Sequence, residues 1–142
     1  MSSVKDLLGR AGFSVALAPV LIAAALSMPA GAADDGFPFG LEMTLDASRQ
    51  PGSKRIPTLE IGDAGEAILE LWCKGGKGQF SVAGNTVIFV AGPLEDRACP
   101  PARAQADDEL VAALSEAATW KRQGDFVSFI GTRPLRFRLN TN

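Results

Sequence analysis

From Leu41 onward, apolar and polar residues change places at nearly every step. Leu41-Glu42-Met43-Thr44-Leu45 alternates, and so does Glu66 to Cys73; Leu135, Phe137 and Leu139 oppose Arg136 and Arg138. A period of two belongs to a β-strand with one face in a core and the other in water. Ile56–Ile61, Gln79–Val82, Thr86–Val90, Trp120–Gln123 and Phe126–Ile130 read as further strands. Pro57 sits near the start of its strand, where a missing N–H is tolerated. The punctuation between them is turn chemistry: Ser48–Lys54, Gly62–Gly65, and the hairpin pairs Gly84-Asn85 and Gly124-Asp125. Gly75-Gly76-Lys77-Gly78 reads as a flexible link.

One segment has helical spacing instead. Asp107–Thr119 repeats Leu110, Val111, Leu114, Ala117 and Ala118. Asp107, Asp108 and Glu109 are expected at its start, where carboxylates oppose the helix dipole. The expected fold is therefore mainly β (α+β), with about eight antiparallel strands and one packed helix. A small sheet of this kind hides its edges by curling into a barrel or by stacking as two sheets. The helix would cover an open end or a flank. Within the third strand, Ala67, Leu69, Leu71 and Cys73 are assigned to the core and Glu66, Ile68, Glu70 and Trp72 to the other face.

Ahead of this domain, residues 1–32 have the three parts of a signal peptide. Lys5 and Arg10 supply a basic start, Ala11 to Met28 is almost wholly apolar, and Pro29 precedes the small residues Ala30-Gly31-Ala32. Cleavage is expected after Ala32 or Ala33, followed by a linker over residues 33–40 and a single domain over 41–142. Pro19 and the alanine-rich centre argue against a retained span, although the run approaches the length a bilayer needs. No cysteine near the site offers a lipid attachment point. The chain has two cysteines, Cys73 and Cys99, both in the domain. An exported pair enters an oxidising space and is expected to form a disulfide worth roughly 3–4 kcal/mol by loop entropy.

Composition narrows the chemistry. The formal net charge is −2, and loss of Lys5, Arg10 and Asp6 with the signal makes the domain one unit more negative. Such a balance is poor for nucleic acid, whose binding depends on phosphate neutralisation. Histidine and tyrosine are absent, which excludes Ser-His and Cys-His catalysis, His-ligated metals and a tyrosine acid. Two cysteines alone do not close a thiolate zinc site. No cofactor and no metal site is expected.

The remaining candidates each have a plainer structural reading. Lys74–Gly78 suggests a phosphate loop, but no Ser or Thr follows Lys77 and the next segment is a strand. Glu60, Glu66 and Glu70 suggest a carboxylate cluster, yet alternation makes them the solvated face of a sheet. Arg133, Arg136 and Arg138, with Lys121 and Arg122 on neighbouring strands, suggest an anion or membrane-surface patch. Alternation equally predicts a solvated arginine face. Trp72 and Trp120 are expected in or beside the core.

On these residues, Ile56 to Leu139 resembles the META domain family, the HslJ-like family. The corresponding parts are Leu71-Trp72-Cys73, Gly78–Val90, Arg97-Ala98-Cys99-Pro100, Asp107-Asp108-Glu109-Leu110 with Ala113-Leu114, and Trp120 to Phe137. Trp72 and Lys74 flank Cys73 where Gly and Asn are more usual, so the chain looks like a divergent branch. The resemblance implies a lipocalin-like antiparallel barrel with a helix, export, and an association with stress tolerance. It supplies no catalytic residues. The expected function is a periplasmic or secreted, non-enzymatic domain that binds another envelope component or serves a structural role under stress. The alternative is a barrel-type carrier of a small apolar ligand.

Overall fold

The computed structural model describes residue 14, residues 16–20 and residues 36–141. Most of the expected signal segment, with Ala32 and Ala33, lies outside these described residues. Eight strands form one closed antiparallel barrel: β1 Leu41–Leu45, β2 Thr58–Ile61, β3 Glu66–Glu70, β4 Gly75–Ala83, β5 Thr86–Leu94, β6 Thr119–Gln123, β7 Phe126–Ile130 and β8 Leu135–Leu139. Each strand pairs with its neighbour in sequence, and β8 returns to β1 through Met43↔Leu139 and Leu45↔Phe137. Closure removes the exposed edges that eight short strands would otherwise present.

The seam between β5 and β6 is narrow, with Thr86↔Thr119 as its ladder pair. The one α-helix among the described residues, α1 (Pro101–Glu116), is inserted here in sequence and packs along β5, burying Leu110, Ala113 and Leu114. The helix thus covers a flank of the barrel. At one end of the barrel, the chain leading into β1 places Phe37 against Trp120 at 5.2 Å and Phe80 at 5.7 Å between ring centres.

The interior follows the alternation. Met43, Leu59, Ile61, Leu69, Phe80, Val87, Val127, Phe129 and Phe137 are buried and form one cluster. Aromatic rings run through it: Phe89 to Phe80 at 4.7 Å, Phe80 to Phe129 at 5.5 Å, and Phe129 to Phe137 at 5.8 Å. Each such contact adds about 0.5–1.5 kcal/mol beyond the burial itself. Ala67, Leu69 and Leu71 face inward as expected, and Gly84 and Gly124 turn their hairpins at φ of 57° and 59°.

Several boundaries differ from the sequence reading. β2 begins at Thr58 rather than Ile56. Gly75–Gly78 is not a flexible link but the start of β4, with Gly75 opposite Glu70 and Gly78 opposite Ala67. The glycine at 78 has a packing reason: a Cβ there would collide with the Phe89 ring. β5 continues past Val90 to Leu94, with a register shift opposite Gly76/Gly78. β3 ends at Glu70, so alternation stops before Cys73; Leu71 and Trp72 are buried consecutively and Cys73 is only half-buried. α1 begins at Pro101, six residues earlier than expected, and ends at Glu116. A proline at the first helical position gives up no hydrogen bond, because that N–H has no partner within the helix. Asp107, Asp108 and Glu109 therefore lie mid-helix and do not oppose its dipole at the start.

Candidate functional site

The densest polar constellation surrounds the turn Leu71–Lys74 between β3 and β4. Its backbone N–H groups converge on one side chain of α1. Trp72 N donates to Asp107 Oδ1 at 2.7 Å, Cys73 N to Oδ2 at 3.2 Å and Lys74 N to Oδ2 at 2.8 Å. Asp107 is 0 % exposed and is the buried charged residue of the described chain. A buried carboxylate is tolerable only when its lone pairs are occupied, and here three backbone donors occupy them.

The carbonyl groups of the same turn point the other way, to two arginines. Arg55 Nε donates to Leu71 O at 2.7 Å, and its Nη2 to Cys73 O at 2.9 Å and Lys74 O at 3.1 Å. Arg97 Nη1 donates to the same Cys73 O at 2.9 Å. Each guanidinium also holds a glutamate: Arg55 with Glu70 at 3.0 Å and Arg97 with Glu95 at 2.7 Å. Covalently, Cys73 is joined to Cys99 across 26 positions of sequence. The turn is thus fixed by a carboxylate on its amides, guanidinium groups on its carbonyls, and a disulfide. Chemically it is a clamp: Asp107 is committed to backbone donors and has no nucleophile or proton-transfer partner among its hydrogen bonds.

A helix start at Asp107 hides its role as a buried anchor, because the helix begins six residues earlier, at Pro101. The signal was present: Arg103, Asp107, Leu110 and Leu114 repeat at helical spacing, which puts Asp107 on the face that packs. Pro100-Pro101 marks the true start.

The other expected sites stay apart. Glu60, Glu66 and Glu70 are exposed on the outer face of β2 and β3, with Ile68 opposite Glu60 and Arg55 holding Glu70. Among the described residues, no three His, Cys, Asp or Glu side chains group so as to hold a metal ion. Lys74–Gly78 runs from a turn into a strand, which does not suit a phosphate loop. Lys121, Ser128 and Arg136 form a row across β6, β7 and β8. Arg136 and Arg138 lie over the Phe126 ring at 4.7 and 5.9 Å. Part of this charge is compensated, because Arg136 pairs with Asp46 and Arg133 with Glu116. Arg122 does not join the cluster; it reaches Gly36 O at 3.1 Å, because its strand position alternates away from Lys121. Trp72 is buried, and Trp120 donates its indole N–H to Gly84 O at 2.7 Å while packing against the core.

The model of the META domain matches residues 41–138. The chain belongs to the META domain family. That match contains all eight strands but the last residue of β8, together with α1, Asp107 and both cysteines. No curated protein matches this META domain. A solved structure titled "NMR structure of the protein" matches at a TM-score of 0.54 and 14 % identity, covering 70 % of this chain and 89 % of that one. At that identity the likeness concerns the fold. Among the described residues of this META protein, no helix is long and apolar enough to cross a membrane. Its disulfide is compatible with an oxidising compartment.

Proposed function

We propose that this META domain is exported to the periplasm and acts there as a non-enzymatic binding module for another envelope component, in the response to envelope stress. The observation that carries this reading is the filled barrel. Phe80, Phe89, Phe129 and Phe137 form a continuous run of ring contacts in the core, so recognition falls to the outer surface. Export is supported by the residues of the signal and by the disulfide. The expected partner is a protein of the envelope; nucleic acid is not expected, and neither is a stable membrane anchor after cleavage.

The test is cross-linking in living cells, with the protein bearing its own signal or with residues 1–32 deleted. The expected result is a discrete cross-linked complex in the periplasmic fraction, absent when the signal is deleted and more abundant under envelope stress. An exported protein that stays monomeric to cross-linkers under all conditions would overturn the binding reading.

A further inference from the structure

β4 opens with two glycines, and both are overlaid by side chains from the end of β5 and the residue that follows it. A Cβ at 75 would stand 2.7 Å from Glu95 Oε1, and a Cβ at 76 would stand 2.6 Å from the Leu94 side chain. Without those Cβ atoms, Glu95 and Leu94 lie flat on β4. The ladder sets Ile68 opposite Lys77 on the β3 side, and the register shift carries Pro93 past on the β5 side. A cavity of about 310 Å³ opens beside them, with Ile68, Glu70, Lys77, Pro93, Leu94 and Glu95 in its wall.

The wall has an apolar part and an unbalanced charge. Ile68 is 44 % exposed, although burying an isoleucine side chain is favourable. Glu70 and Glu95 are each neutralised by an arginine that is itself fixed on Cys73 O. Lys77 makes no salt bridge among the described residues. The cavity therefore combines apolar side chains, two compensated carboxylates and one free ammonium group. Charge complementarity selects an anion, and the apolar wall selects a body that leaves water.

We infer that this cavity binds a small amphipathic monocarboxylate, with its ring or short chain on Ile68, Pro93 and Leu94 and its carboxylate toward Lys77.

The probe is 3-phenylpropionate, titrated into the purified, disulfide-bonded protein and followed through its amide NMR signals. The neutral 3-phenylpropanol and the cationic 3-phenylpropylamine serve as comparisons. Saturable shifts are expected at Ile68, Gly76, Lys77 and Leu94, with binding strongest for the acid and weakest for the amine. Lys77→Gln should weaken the acid by roughly three- to fivefold, the weight of one exposed ion pair, and leave the alcohol unchanged. Lys77→Arg should restore the acid. Because Lys77 is exposed, these variants should keep the native spectrum. Absence of saturable shifts at these residues, equal binding of acid and amine, or an acid affinity indifferent to Lys77→Gln would each overturn the assignment.

Discussion

Asp107 Oδ2 accepts the backbone N–H of Lys74 at 2.8 Å, tying the middle of α1 to the residue that precedes β4. Trp72 and Cys73 donate to the same carboxylate, so one side chain satisfies three consecutive amides. Asp107→Ala leaves those donors beside a cavity. It should cost about 2–4 kcal/mol, because buried unmade hydrogen bonds are expensive. Asp107→Asn keeps one oxygen acceptor but turns an amide N–H₂ toward backbone donors, and should fall between wild type and alanine. Urea unfolding measures both; a loss below about 0.5 kcal/mol for Asp107→Ala would show that the clamp is not structural.

The Cys73–Cys99 bond holds the same turn to the loop before α1. Non-reducing peptide mapping should recover Cys73 and Cys99 in one linked fragment. Replacing both with serine should cost about 3 kcal/mol. In combination with Asp107→Ala, the losses should not add, because both changes act on Leu71–Lys74. Strict additivity in this cycle would mean that the two restraints act independently.

Leu71 is fully buried directly ahead of the cysteine turn. Leu71→Ala should destabilise the domain by about 2–5 kcal/mol, the range for deleting a buried leucine side chain. The wild-type interior should admit no apolar dye or long-chain fatty acid with micromolar affinity, because its rings are already in contact. Tight one-to-one uptake that quenches Trp120 would contradict a filled barrel.

Gly78 and Gly84 should respond differently to alanine. At Gly78 the new methyl meets the Phe89 ring, and overpacking should cost about 1–3 kcal/mol or more. At Gly84 the space is open, and the positive φ alone should cost about 1 kcal/mol. Thermal melts of the two variants rank the effects; equal losses would imply that β4 shifts to relieve the contact.

Export makes its own prediction. The mature protein should begin at Ala33 or Asp34 and fractionate with the periplasm. Intact-mass analysis checks this, and a membrane-bound product retaining residues 1–32 would contradict it.

Strand phase was legible because each strand has one wet face and one dry face. Leu69, Phe137 and Leu139 are where alternation placed them, and the hairpins at Gly84-Asn85 and Gly124-Asp125 follow from residues that tolerate positive φ. What failed was local wherever a partner distant in sequence decides. Gly75–Gly78 has no strand propensity of its own; its extended form comes from ladders on both sides and from the Phe89 ring over Gly78.

The sequence by itself determined the antiparallel β class, the inward set of each strand and the two cysteines able to pair. These depend on period-two patterning and on residue chemistry, both local properties. Only the tertiary structure decided that Asp107 is a buried anchor rather than a helix-start charge, that Arg55 and Arg97 meet at one carbonyl, and that Ile68, Lys77 and Leu94 line one cavity. Those depend on distances between residues tens of positions apart in the chain, which closure of the sheet sets and no local pattern encodes.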